Sequence, residues 1–212
     1  KEMDDMSETY YVTTPIYYVN DVPHIGHSYT TIAADVLARF FRAVGKDVHF
    51  LTGTDEHGVK MAKAAEEKGT DPKSLADENS PQFAKLWADL NISNDDFIRT
   101  TEARHEIRVQ QLIRELVARE EIYLATYEGW YDEGQEEYVT ESAARENEYK
   151  SEINGKSLVR YSEENWFFRL KKWIPKLIEH IEKVNPKFVQ PDARRNEVVS
   201  KLKIGLANSE LS

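Results

Sequence analysis

The residues with the clearest chemical capacity are His24-Ile25-Gly26-His27, set between a strand-forming run and a helix-forming one. With 6 His and 9 Gly in 212 residues, this order is expected roughly 0.007 times by chance, so coincidence explains it poorly. A loop that leaves a strand and enters a helix presents free N–H groups and the positive end of a dipole, which suits a phosphate. His24 and His27, at i and i+3, fall on one side of that first turn. There they could donate hydrogen bonds to a phosphate gaining charge in a transition state. Gly26 removes a side chain where a base or ribose could approach the backbone. The same pair could instead hold a metal with Asp55 or His57 as third ligand, or serve only to cap the helix.

A second group, Thr52-Gly53-Thr54-Asp55-Glu56-His57-Gly58, follows a short apolar run. Carboxyl ends of parallel strands converge on one crevice, so this segment is expected to face the same site as the histidines. Asp55 could pair with a substrate ammonium and His57 could orient a substrate; a helix cap by Thr54 or Asp55 is the structural alternative. A third group, Thr13-Thr14-Pro15-Ile16-Tyr17-Tyr18, could wall a pocket for an uncharged side chain or be ordinary core.

These groups need elements to hold them. Thr9–Val19 is rich in Tyr, Val, Thr and Ile and predicts a strand, broken or placed at an edge by Pro15. Gly26–Val44 shows helical spacing of apolar residues, Val48–Leu51 reads as a short buried strand, and Thr52–Gly58 as a loop. Helices are expected over Val59–Lys68, Pro72–Leu90 and Glu102–Glu120, with a strand over Asp96–Thr100. That alternation predicts a parallel sheet with crossover helices, an α/β Rossmann-like fold. Beyond about Ile122 the chain changes character. Ile122–Val139 is strand-like and aromatic, Asn154-Gly155 signals a hairpin, Trp166–Lys183 reads as an amphipathic helix around Pro175, and Asp192–Leu206 as a final helix. The domains expected are a tail over residues 1–8, a Rossmann-like half over 9–117, and a smaller α+β unit over 118–212. The aromatic stretches Tyr127–Tyr131 and Trp166–Phe168 read as core, and the cluster Arg169, Lys171, Lys172, Lys176 as a solvated helix face.

Composition narrows the function classes. Lys and Arg number 28 against 38 Asp and Glu, a net charge of −10, which argues against a protein that binds nucleic acid through its overall field. The absence of Cys excludes disulfides and thiolate metal sites. No run approaches the ~18 apolar residues of a membrane helix, and nothing near Lys1 has the apolar core of a signal peptide. No membrane partner and a cytoplasmic setting are therefore expected.

With these motifs assembled, the chain resembles the methionyl-tRNA synthetase family of class I aminoacyl-tRNA synthetases. The segments that carry the resemblance are YYVTTPIYYVNDVPHIGHSYTT, FLTGTDEHG, FIRTTEARH, YEGWYDEGQEEYVTE and ENWFFRL, in order over almost all of Thr9–Leu206. The resemblance implies that His24 and His27 contact the ATP phosphates and stabilise the adenylation transition state, with Gly26 in the same ATP-binding turn. It implies that Asp55 binds the methionine α-amino group, that Ile16 and Tyr18 help form the side-chain pocket, and that His57 lines it. The implied substrates are ATP with Mg²⁺, L-methionine and tRNA(Met), in a two-step ligase reaction that serves translation. The segment from about Ala118 would be the connective peptide of that family. Many members carry zinc-binding Cys pairs there, whereas this chain has Asp132 and Gln135, so a zinc-free insertion is expected.

The family's second half-fold, its KMSKS loop and its anticodon-binding helices are not found before Ser212. The expectation is an amino-terminal fragment or split half whose partner is the missing C-terminal half, weakly active or inactive alone. Two other readings compete. One is a small HxGH nucleotidylyltransferase, the other a noncatalytic binding module derived from a synthetase.

Overall fold

The computed structural model of the protein describes residues 8–135 and 137–207. The expected tail lies outside the described residues, except for Glu8. The chain forms two compact units, residues 1–111 and 112–212, so the division falls inside a helix, a few residues ahead of the boundary expected at 117–118.

In the first unit the central strand is β3 (Asp47–Asp55), flanked by β1 (Thr9–Thr13), β2 (Tyr17–Tyr18) and β4 (Asp96–Arg99). All three neighbours pair with it in parallel. Pro15 has no N–H to give a ladder, and the register slips by one residue between Thr13↔Leu51 and Tyr17↔Thr54. The stretch is pinned across the break: the Thr14 N–H donates to the Leu51 carbonyl (3.2 Å), and the Thr14 and Thr52 hydroxyls bond at 2.7 Å.

The expected loop over Thr52–Gly58 is corrected here, because Thr52–Asp55 continue β3. Strands on both sides complete its ladder, and Gly53 makes the approach of β4 possible. A Cβ at Gly53 would lie 2.1 Å from the Ile98 carbonyl oxygen. The glycine placed in the expected loop is instead a close-packing position inside a strand.

Helix α1 (Ile25–Ala43) packs on Val48 and Phe50 through Ala34 and Ala38. Helices α2 (Val59–Glu67) and α3 (Pro72–Asp89) bring Met61, Leu75, Phe83 and Trp87 onto Tyr17 and Val19. Asp71 caps α3 by accepting the Ser74 N–H at 3.0 Å, with Pro72 in the first turn, where no N–H is needed. Helix α4 (Ala103–Ala118) runs from one unit into the next.

The second unit is built on a long antiparallel ribbon of β5 (Ile122–Asp132) and β7 (Val159–Phe168), with β6 (Glu137–Val139) on the other edge of β5. The helix expected over Trp166–Lys183 begins too early in that reading. Trp166, Phe167 and Phe168 belong to β7, where they pair with Leu124, Tyr123 and Ile122. Cross-strand aromatic contacts such as Tyr123–Phe167, with centroids 5.9 Å apart, outweigh the local amphipathic pattern. Helix α6 (Leu170–Glu179) follows, with Pro175 inside it, and passes into a π-helical turn at His180–Val184. Helix α7 (Asp192–Ala207) matches its expected span. The Asn154-Gly155 turn is present, with Gly155 at φ +68° and the Ser151 N–H donating to the Lys156 carbonyl at 2.8 Å. The short α5 (Glu141–Glu146), capped by the Thr140 hydroxyl, was not foreseen, since so few residues carry no readable period. Among the described residues no helix is long and apolar enough to cross a membrane.

Candidate functional site

The turn that opens α1 is organised by its two histidines. His24 is the N-cap residue in extended conformation, and its Nδ1 accepts the Gly26 N–H at 3.1 Å. The His27 Nδ1 in turn accepts the His24 N–H at 3.1 Å, completing a reciprocal capping box. A neutral ring whose Nδ1 accepts must carry its proton on Nε2. Both imidazoles therefore keep one N–H donor that the helix does not use. The capping alternative is thus real, and it leaves the donating edge of each ring available.

The rings stack with centroids 3.8 Å apart and planes 25° from parallel. His24 is exposed and His27 half-buried. Burial lowers the His27 pKa below the usual histidine value, and the neighbouring His24 adds to the effect. The first turn of α1 carries no acidic side chain, so nothing opposes the positive end of the helix dipole there. Gly26 is required by the cap itself, because a Cβ there would meet the His24 ring at 2.9 Å.

Ile16, Tyr18, His24 and His27 line one cleft of about 460 Å³, together with Tyr17, Asn20, Asp21 and Val22. The structure therefore brings together the paired imidazoles and the two residues expected to wall a side-chain pocket. Asp55 and His57 do not line that cleft. Asp55 ends β3 directly across the ladder from Tyr18, and His57 is exposed with Nε2 3.4 Å from the Thr100 carbonyl. Neither Thr54 nor Asp55 caps α2, whose N-cap is Gly58 at φ +101° without a side-chain bond. Among the described residues no group of three His, Asp or Glu side chains is placed to hold a metal.

Sequence reasoning missed Glu56. Its side chain is fully buried and takes both arms of Arg99, at 2.7 and 2.9 Å, together with the hydroxyls of Thr54 (2.7 Å) and Thr101. Burial alone would raise its pKa, but these hydrogen bonds and the guanidinium charge outweigh burial and hold the carboxyl below the usual glutamate value. The Glu56 N–H also takes the Thr100 hydroxyl as its acceptor at 2.9 Å. The ends of β3 and β4 are thereby locked together beside Asp55. The signal was the period of two that places Thr52, Thr54 and Glu56 on one side of the chain.

In the second unit Asp132 is buried and accepts from the Gly134 N–H (2.8 Å), the Gln135 N–H (3.3 Å) and the Gln135 side-chain amide (2.9 Å). A hydrogen bond from Ser151 opposes the effect of burial and keeps its carboxyl below the usual aspartate value.

A parallel α/β sheet whose first helix opens on a turn capped by two histidines defines a Rossmann-like class of protein. The tRNA synthetases class I (M) family matches residues 10–147. The chain belongs to this family. It is 51% identical to a methionine–tRNA ligase of Rickettsia typhi over 207 residues, covering 98% of this chain and 40% of the relative. It is 48% identical to the Streptomyces coelicolor methionine–tRNA ligase, covering 97% and 39%. Among solved structures, Mycobacterium tuberculosis methionyl-tRNA synthetase in complex with methionyl-adenylate superposes with a TM-score of 0.83 at 42% identity, over 92% of this chain and 39% of that one. The chain thus spans about 40% of the length of the curated relatives it matches.

Proposed function

We propose that this chain supplies the nucleotide side of a methionine–tRNA ligase site. In the first step a methionine carboxylate oxygen attacks the α-phosphorus of ATP. The bond from that phosphorus to the bridging oxygen breaks, and pyrophosphate leaves with the electron pair. In the second step a hydroxyl of the terminal tRNA(Met) ribose attacks the acyl carbon and AMP departs. Both steps demand positioning and charge stabilisation rather than a protein nucleophile.

The observation that carries this reading is the capping box, which consumes both Nδ1 atoms and leaves two Nε2–H donors on rings that line the cleft. His24 and His27 would direct those donors at phosphate oxygens, with the Gly26 turn beneath them. Ile16 and Tyr18 would wall the methionine side chain. Asp55, across the ladder from Tyr18, would hold the α-ammonium, and His57, which lies outside the cleft beside the Thr100 carbonyl, would line the pocket only by turning toward it. A relative solved in complex with methionyl-adenylate supports a methionine-activating site of this kind. Imidazole and amide donors suit phosphate oxygens, so Mg²⁺ would arrive on the triphosphate and supply neutralising charge there. The unit over residues 118–212 is read as the connective peptide. It is read as zinc-free, because Asp132 and Gln135 offer no thiolate and bond to each other. The proposed setting is the cytoplasm.

The test is methionine-dependent ATP–pyrophosphate exchange by a ligase of the relatives' length carrying this sequence. His24→Ala and His27→Ala should each lower kcat by about 10²–10³-fold, the usual cost of one such donor. Unchanged exchange in both variants would remove the basis of the reading. The 212 residues alone are expected to activate methionine weakly or not at all.

A further inference from the structure

Tyr17 is 7% exposed and belongs to the core cluster of the first unit, yet its hydroxyl is directed at α1. It lies 2.9 Å from the Thr31 hydroxyl and donates to the His27 carbonyl at 3.4 Å. Its ring centre is 4.8 Å from that of His27, and Phe83 of α3 approaches the same imidazole at 5.2 Å. Tyr17 and Phe83 also stack on each other at 6.1 Å, with planes 17° apart, and both are backed by Trp87. Packing alone would be served by a phenylalanine at position 17. The hydroxyl adds a tether to the turn of α1 that carries His27.

We propose that Tyr17, with Phe83 beside it, is a positioning residue that seats the His27 ring, keeping Nδ1 on the His24 N–H and Nε2–H free for a phosphate oxygen. This rests on the phosphate-binding role of His27 argued above. The ring has few places to go. Two aromatic walls and the His24 stack block rotation of the imidazole, and the wall is fully buried behind. An imidazolium would have to put a proton on Nδ1, which would break the capping box. The aromatic seat opposes the same change, since it denies water to the charged form. Of the titratable side chains around the ring, Tyr17 packs on it as a neutral phenol and Asp21 lines the same cleft, while His24, stacked on it, disfavours a second positive charge. Seat, cap and neighbour therefore select one state, the neutral Nε2–H tautomer.

The experiment uses the 212-residue chain with ¹⁵N-labelled histidine and no ligand. Long-range ¹H–¹⁵N correlation reports the tautomer and the titration of His27 directly. The expected parent spectrum shows one tautomer, Nε2–H, titrating below the ordinary histidine value of about 6.5. In Tyr17→Leu the midpoint should rise toward that value and the Nδ1–H tautomer should appear. Tyr17→Phe keeps the aromatic wall and loses only the hydroxyl tether, so it should restore most of the depressed midpoint. Phe83→Leu approaches the ring from α3 and decides the matter if Tyr17→Leu does not fold. A folded Tyr17→Leu or Phe83→Leu chain with the parental tautomer and midpoint overturns the proposal. In the complete ligase Tyr17→Leu should lower kcat about tenfold and leave KM for methionine within about twofold. If His27→Ala leaves exchange intact while Tyr17→Leu changes the ring state, the ligase reading fails and the positioning role stands.

Discussion

Replacing Arg99 by Met isolates the lock between the ends of β3 and β4. The Glu56 side chain has no exposure and Arg99 only 22%, with two bonds between them at 2.7 and 2.9 Å. Removing one partner of a buried pair leaves an uncompensated charge, typically at a cost of ~3–5 kcal/mol. Two hydroxyl donors, from Thr54 and Thr101, remain on Glu56, and Arg99 also loses a 2.6 Å bond to the half-exposed Asp77. The expected loss is therefore near the lower end, about 3 kcal/mol.

The pH dependence has a defined sign. In the parent, Glu56 titrates below its unfolded value, so its contribution is complete above that value and is lost as pH falls through the folded one. Without Arg99, burial prevails and the folded carboxyl titrates above its unfolded value. The folded state then binds the proton more tightly, and stability falls as pH rises through that window. Urea unfolding of parent and variant should show a larger gap at about pH 7 than at about pH 5. Adding Glu56→Gln to the variant should recover part of the loss, because the amide carries no charge to strand. A cost below about 1 kcal/mol, equal at both pH values and unaffected by Glu56→Gln, would refute the reasoning.

Three further outcomes follow from single contacts. Gly53→Ala would drive a Cβ within 2.1 Å of the Ile98 carbonyl oxygen, so β4 must separate from β3; a loss of about 3 kcal/mol or more is expected in urea melts. Gly26→Ala should displace the His24 ring, 2.9 Å from the new Cβ, costing about 1 kcal/mol of cap stability. It should also depress pyrophosphate exchange more than its small stability loss would suggest, and a crystal structure with the capping box intact would contradict this. Asp132→Asn keeps the shape of its turn but weakens acceptance from Gly134 and Gln135. The second unit should lose about 2 kcal/mol, seen as faster hydrogen exchange at the 132–135 amides and not at β3.

Much of the site was legible because it is local. A His-x-Gly-His order between a strand and a helix fixes a capping turn within four residues, and the structure forms that turn with both Nδ1 atoms engaged. The alternation of apolar periods likewise determined the parallel α/β unit, since each helix must bury its stripe on the sheet. Other features depended on partners distant in sequence. Gly53 read as part of a loop until β4 lay against it, and Trp166–Phe168 read as helix until β5 paired with them. Glu56 read as one more loop acid, because its significance comes from Arg99 and Thr101, more than forty residues away. Local spacing specifies which hydrogen bonds a short segment can make with itself. Burial, and with it the charge state of Glu56 and the ring state of His27, is a property of what packs against the segment, and only the folded chain decides that.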